Sequence, residues 1–489
     1  MPKQPSRNPR KNEQPIDQTE AGEVRANLGA TETKSARKSS LPLLVGGGIA
    51  LALLCAIVFV IYSFFFFEPG GRVTQAEATP TLEIVDFGSG NGQPQPAANE
   101  NNDNADQPAQ PVEPAEPAPT PIPPQETEPT SDAAPLTGLA KMQSPDFGIQ
   151  AFLYWRSEVA SRDLQLIKDI KFSWVKQQIA WRDVEGAGKG IYDWANLDRM
   201  MDQIDEKGLH MIARVDLQPE WAGGGYPEIG PPDDYQDYVD FISTLATRYK
   251  GRIDAYQIWN EPNLAREWGD QPPDPVKYTE LLRRSYEAIK AIDPDAFVIS
   301  AGLAPTTRYD HVAMPDTIFV QGMYDAGAQP FFDALGVHGA GFKVSPDTDP
   351  AVVANDPALN NNDPSSTELK RIYAFRHVED VRAIMVANGD VDKRVVVLEF
   401  GWTVDPREDS PYRWHAVSEN QQAAYIVQAY RYAEQNWQPW IGVMSLIFLA
   451  NVDWTEDDEQ TYWSITHPLY PDLRARPAFW GLMDANKNR

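Results

Sequence analysis

The chain has 489 residues, 70 acidic against 43 basic, for a net charge of -27, with one cysteine, 42 prolines and 14 tryptophans. That charge argues against a nucleic-acid partner, whose phosphates are bound through a basic footprint. One cysteine excludes an intramolecular disulfide and any paired-cysteine metal site.

Residues 1–40 carry eight Lys/Arg against five Asp/Glu and no apolar period, so they are expected to form a disordered tail. Residues 41–67 follow without a single charge. About 20 apolar residues are enough to cross the hydrocarbon core, so a single transmembrane helix is expected here, with the lipid bilayer as its partner. Lys34, Arg37 and Lys38 before the run and Glu68 after it put the tail in the cytoplasm and the rest of the chain outside. A cleaved signal with Ala76-Glu77-Ala78 as its processing site is the competing reading, but signal hydrophobic regions run only ~7–15 residues. Cys55 lies inside this run, which leaves the exported part free of thiols.

Residues 68–145 hold 15 of the prolines and twelve acidic against two basic residues, the composition of an extended, self-repelling, disordered linker. Residues 146–489 contain every tryptophan and -20 of the net charge. Eight apolar, β-rich runs recur through them, beginning at Phe147, Ser173, Leu209, Ala255, Phe297, Ala334, Val395 and Ile441. Amphipathic stretches with three- and four-residue apolar spacing lie between, such as 195–208, 234–250, 276–292 and 419–435. Apolar strands alternating with helices imply parallel strands buried on both faces. Eight such units fit a closed (β/α)8 TIM barrel better than an open doubly wound sheet, the structural alternative. The surplus length falls in Gly341–Glu368, Thr403–Glu419 and Asn451–Arg476, which in a barrel would wall a cleft on the active face.

Two carboxylates stand out. Glu261 ends the fourth run in Trp259-Asn260-Glu261-Pro262-Asn263, and Glu399 ends the seventh in Val395-Val396-Val397-Leu398-Glu399-Phe400-Gly401-Trp402. A charge after a buried apolar run needs a reason to be tolerated there. Both are expected at the C-terminal mouth of the barrel, where one can protonate a glycosidic oxygen while the other attacks the anomeric carbon or activates water. Close approach of two carboxylates is expected to drive their pKa values apart.

The segment YQIWNEPNLAREWGD resembles the acid/base motif of the retaining (β/α)8 glycoside hydrolases of the cellulase and β-xylosidase clan, and VVVLEFGW resembles the clan's nucleophile strand. Residues 181–215 are similar to its second-to-third-strand segment, and the nearest form is the β-xylosidase/iduronidase type, family thirty-nine. The resemblance implies Glu261 as general acid/base, Glu399 as nucleophile and Asn260 as a hydrogen-bond donor to the sugar 2-hydroxyl. Leu398 departs from the clan, which often has a small polar residue before the nucleophile.

Trp454 and Trp402 are candidates to stack on sugar rings or to pack in the core. His338 and Arg214 fall at strand ends, where they could orient the nucleophile, bind hydroxyls or be structural. Trp268 and Trp414 are loop candidates for outer subsites, and Glu185 reads as structural. The Gly186–Gly190 loop lacks the Gly-Lys-Ser/Thr ending of a phosphate loop, and no two histidines have the spacing of a zinc helix. The acidic loop 453–459 lacks the glycine of a helix-loop-helix calcium site. No metal or cofactor is expected. The sequence thus predicts a membrane-anchored, extracytoplasmic retaining glycosidase of β-linked poly- or oligosaccharides. The alternative is a non-catalytic carbohydrate-binding barrel that tethers the cell to a surface polysaccharide.

Overall fold

The structure, a computed structural model, describes residues 142–487 and Arg489. The expected tail, the span at 41–67 and nearly all of the linker lie outside the described residues. No helix among the described residues is long and apolar enough to cross a membrane.

Eight strands, β1 (Asp146–Gln150), β2 (Trp174–Ala180), β3 (His210–Asp216), β4 (Ala255–Ile258), β5 (Phe297–Ile299), β6 (Ala334–Ala340), β7 (Arg394–Gly401) and β8 (Ile441–Leu446), form a closed barrel in sequence order. All pairs are parallel, and β8 returns to β1. Each strand is followed by a long helix: α1 (Ser157–Asp169), α2 (Ala195–Lys207), α3 (Tyr235–Arg248), α4 (Pro275–Ile292), α5 (Asp316–Asp325), α6 (His377–Ala387), α7 (Glu419–Asn436) and α8 (Pro477–Ala485). Local chemistry fixes their ends. Asp234 and Asp274 cap α3 and α4 by accepting from backbone N–H groups, Pro275 sits in the first turn of α4, and Ser418 and Gln421 form a capping box on α7.

Two cores follow from alternation along the strands. One face packs outward against the helices, with side chains such as Val175, Met211, Tyr256, Val298 and Val397. The other fills the barrel floor with Trp174, Ile212, Ala255, Phe297, Ile299, Ala334, Val396, Leu398 and Val443, closed below by Met142. Two positions further along several strands, the same inward face turns polar: Lys176 follows Trp174, Arg214 follows Ile212, Gln257 follows Ala255 and Ser445 follows Val443. That transition from apolar floor to polar mouth positions the site.

Two departures from regular strands lie at the mouth. The fourth run, expected as extended through Glu261, leaves the sheet after Ile258, because Trp259 and Glu261 take left-handed backbone conformations with φ of 66° and 43°. Such conformations cost a non-glycine residue energy and persist where surrounding contacts over-determine them. Here the Glu261 N–H donates to the Gly302 carbonyl at 3.0 Å and the Trp259 indole donates to the Glu267 carbonyl at 2.8 Å. The second departure is a bulge: Val337 pairs with Val397 but His338 pairs with Glu399, so Leu398 is the extra residue on β7.

Candidate active site

A regular strand sends adjacent side chains to opposite faces, yet Leu398 and Glu399 both serve the barrel interior. The bulge resolves this. Leu398 is fully buried in the floor, and the inserted residue re-aims Glu399 into the mouth. The hydrophobic residue that departs from the clan's pattern is therefore the top of the apolar floor.

Glu399 is held by cations from the opposite wall. The Lys176 ammonium, buried on β2, donates to Glu399 Oε1 at 2.8 Å and to the Leu398 carbonyl at 3.1 Å. Arg214 on β3 places Nη1 3.6 Å from the same oxygen and pairs through Nε with Asp216. Burial pushes the Glu399 carboxyl up, but the charges of Lys176, His338 and Arg214 and the Lys176 hydrogen bond outweigh it and bring it down to about 2. Burial pulls the Lys176 ammonium down, and Glu399 opposes that.

Glu261 faces the same ring from the other side. His338 on β6 lies with Nδ1 3.1 Å from Glu261 Oε1 and Nε2 4.0 Å from Glu399 Oε1, so a single imidazole spans both carboxylates. A Cβ at residue 302 would stand 2.2 Å from His338 Nε2, so the ring's position requires Gly302. Arg266 donates from the rim to Glu261 Oε2 at 3.0 Å. Burial raises the Glu261 carboxyl, yet the hydrogen bond and charge of His338, with Arg266, hold it below the ordinary carboxylate range despite the Glu399 charge. Both carboxylates are thus held below the ordinary value by cationic and hydrogen-bonding partners, and neither of the pair is raised. Glu267, six residues on, is instead pushed up to about 7, chiefly by burial.

The mouth also holds buried polar atoms without a partner among the described residues: Gln150 Oε1, Gln257 Oε1, His338 Nε2 and Ser445 Oγ. A ring of hydroxyls is the chemistry that satisfies such a set. Asn260 is buried beside them, its side-chain oxygen accepting from Gln257 at 3.1 Å.

The structure brings Glu261, Glu399, His338, Arg214 and Asn260 together. The tryptophans fare differently. Trp402 is fully buried, packs on Phe375 and Tyr425 and donates to the Val344 carbonyl, so it has no face for a sugar, which corrects its expected stacking role. Trp268 is likewise 2% exposed, against Trp259 and Tyr278. Trp454 is half-buried, edge-on to Phe152 and Phe448, and Trp414 is half-buried against Phe342 and Tyr373. In the acidic loop, Asp453 pairs with Arg156 and Asp458 accepts from Thr455, and no group able to hold a metal ion occurs among the described residues. Glu185 accepts from Trp181 and from the Gly190 N–H, in keeping with a structural role.

Two residues escaped sequence reasoning. Lys176 was signalled by a cation in the middle of an apolar strand. Trp155, 66% exposed after β1, borders a depression of about 250 Å³ with Gln177, Gln178 and Asn451. Gln178 links that depression to Glu399 through Asp216 and Arg214.

Comparison with known proteins finds partial likenesses. The beta-galactosidase pattern of glycoside hydrolase family 42 matches residues 151–272, which include Glu261 and stop short of Glu399. A β-xylosidase of Geobacillus stearothermophilus is 23% identical over 126 residues, 23% of this chain and 25% of that one. A glucosidase from Croceicoccus marinus superposes with a TM-score of 0.50 at 13% identity, over 71% of this chain and 68% of that one. A family 39 glycoside hydrolase from Bacteroides cellulosilyticus WH2 gives 0.49 at 18% identity, over 71% of this chain and 64% of that one. The chain thus matches about a quarter of the curated relative's length in sequence, and under two thirds of the Bacteroides structure.

Proposed function

We propose that this chain, a (β/α)8 barrel related to glycoside hydrolases, is a retaining glycosidase that cleaves β-linked poly- or oligosaccharides by double displacement. The observation that carries this reading is the convergence of Glu261 and Glu399 on one imidazole at the mouth of the barrel. Glu399, kept anionic by Lys176 and Arg214, attacks the anomeric carbon. Glu261, once protonated, gives its proton to the departing glycosidic oxygen, then takes one from the water that opens the glycosyl-enzyme ester. Hydroxyl contacts at Gln150, Gln257 and Asn260 strengthen as positive charge develops on the sugar ring.

The protein acts outside the cytoplasm, held by a single span at 41–67. The uncharged length of that run and the basic residues before it support this. The acidic linker supplies reach toward a polymer.

The test is a panel of aryl β-glycosides followed by NMR of the first-formed anomer. The β-anomer is expected, whereas initial α-anomer overturns retention. Binding of sugars with no cleavage of any glycoside would favour the tethering protein.

A further inference from the structure

The two oxygens of Glu261 have different surroundings. Oε1 faces His338, whose side chain is 5% exposed and seated on Gly302. Oε2 faces Arg266, whose side chain is 68% exposed at the rim and whose other carboxylate neighbours are Glu267, 3.9 Å away, and Glu459. One partner is built into the barrel wall. The other reaches Glu261 from the exposed rim.

Oε2 is the oxygen turned to the rim, so it is the one that has to carry a proton toward a leaving group. An oxygen already accepting from a guanidinium in the open cleft is a poor place for that proton. A sugar hydroxyl competes weakly with a carboxylate for a guanidinium, because charge-assisted hydrogen bonds are roughly twice as strong as neutral ones. An oxyanion competes on equal terms, and with two acceptor oxygens it matches the guanidinium fork. Glu267 is a weaker rival for the cation: it lies 3.9 Å away, and burial pushes its carboxyl up to about 7, so it is only partly ionised at neutral pH.

We propose that Arg266 is a displaceable positioning residue: it pairs with Glu261 Oε2 before substrate binds and moves onto a carboxylate or sulfate of the leaving-group sugar, freeing Oε2 to take a proton from solvent. The preferred substrates are β-glycosides with an anionic group on the leaving side of the scissile bond. The inference rests on Glu261 being the acid of a glycosidase. The other groups that act on Glu261 stay in place during the exchange: His338 from β6, Glu399 from β7 with its Lys176 partner from β2, and Glu267 on its own loop, which faces Arg214 and Asp216 from β3. Tyr412 and Glu459, from the segments after β7 and β8, border both Arg266 and Glu261.

The experiment compares 3-carboxyphenyl and 3-carbamoylphenyl β-glycosides, chosen with matched leaving-group acidity, on the full chain and on its Arg266→Gln and Arg266→Lys variants. The parent is expected to favour the carboxylate by about tenfold in kcat/KM at neutral pH, the gain in protonated Glu261 when its midpoint rises by about one pH unit. Arg266→Gln is expected to lose that preference and to extend the alkaline limb on the neutral substrate, while Arg266→Lys keeps both properties in part. Equal use of the two substrates by the parent, or an unchanged preference in Arg266→Gln, overturns the proposal. A second readout needs no turnover: the Glu261 carboxyl is followed by carbon NMR, assigned with Glu261→Gln. Its midpoint is expected to rise by about one pH unit in Arg266→Gln and on adding the 3-carboxyphenyl glycoside to the parent. If nothing is cleaved but that midpoint moves, the glycosidase reading fails and the Arg266 exchange stands. An unmoved midpoint ends the exchange whatever the activity.

Discussion

The ends of β4 and β7 deliver the same functional group by opposite means. On β7 a bulge turns Glu399 inward against Lys176, a cation with no solvent exposure, reached across the whole barrel. On β4 the strand stops early, a left-handed backbone swings Glu261 to the rim, and an exposed arginine meets it there. The proposed nucleophile is held well below the ordinary carboxylate value by its buried partners. The proposed acid/base has an exposed partner, which suits a group that must gain and lose a proton. Burial of the cationic partner, not of the carboxylate, distinguishes the two ends, since both glutamates are about equally buried.

The largest expected effect breaks the locked end. Glu399→Gln is expected to lower kcat on the order of 10⁴- to 10⁶-fold, the scale for removing a covalent nucleophile, with thermal unfolding still cooperative. A parent-like rate on aryl glycosides would remove Glu399 from the chemistry. At the other end, Glu261→Gln should cost ~10²–10⁴-fold on substrates with poor leaving groups. The loss should be much smaller for dinitrophenyl glycosides, whose leaving group needs no proton. An equal loss on both kinds of substrate would contradict an acid at this position.

Lys176→Met tests what the lock contributes to stability. It removes one partner of a buried pair while Arg214 remains, so a destabilisation of about 3 kcal/mol, the low end for such pairs, is expected in urea unfolding. The pH dependence has a definite sign. Glu399 is held at about 2, below the ordinary carboxylate value, so its contribution is present above the unfolded pKa and lost as pH falls toward 2. The parent should therefore lose stability between about pH 5 and pH 2 more steeply than Lys176→Met. Parallel curves would mean that Lys176 does not set the ionisation of Glu399. The smallest effect is expected at the ring between the two ends. Gly302→Ala places a methyl against His338 and should cost about 1–3 kcal/mol, with a change in pH profile as the imidazole shifts.

Much of this architecture was legible in the chain. The eight apolar runs anticipated all eight strands, because both-face burial leaves a dense β-branched signal that loops and helices lack. Glu261 and Glu399 were legible for the complementary reason: a charge at the end of such a run is anomalous unless it has work to do. Lys176 was legible in principle by the same rule, but its partner was not. Residue 176 meets residue 399 only because β8 closes onto β1 and so brings β2 within reach of β7 across the interior. Trp402 misled because a tryptophan after a nucleophile looks the same in sequence whether it faces the cleft or the core. The approach of Gly341, whose Cβ would stand 1.8 Å from its indole, decides for the core.

By itself the sequence determined the strand and helix alternation of the barrel and singled out the two carboxylates at its mouth. These depend on composition and local period. Tertiary structure alone decided that Leu398 bulges to aim Glu399, that one imidazole spans both carboxylates, and that both are held below the ordinary carboxylate value. Such properties depend on which groups meet across the barrel and how far each lies from water, and neither is a property of neighbours along the chain.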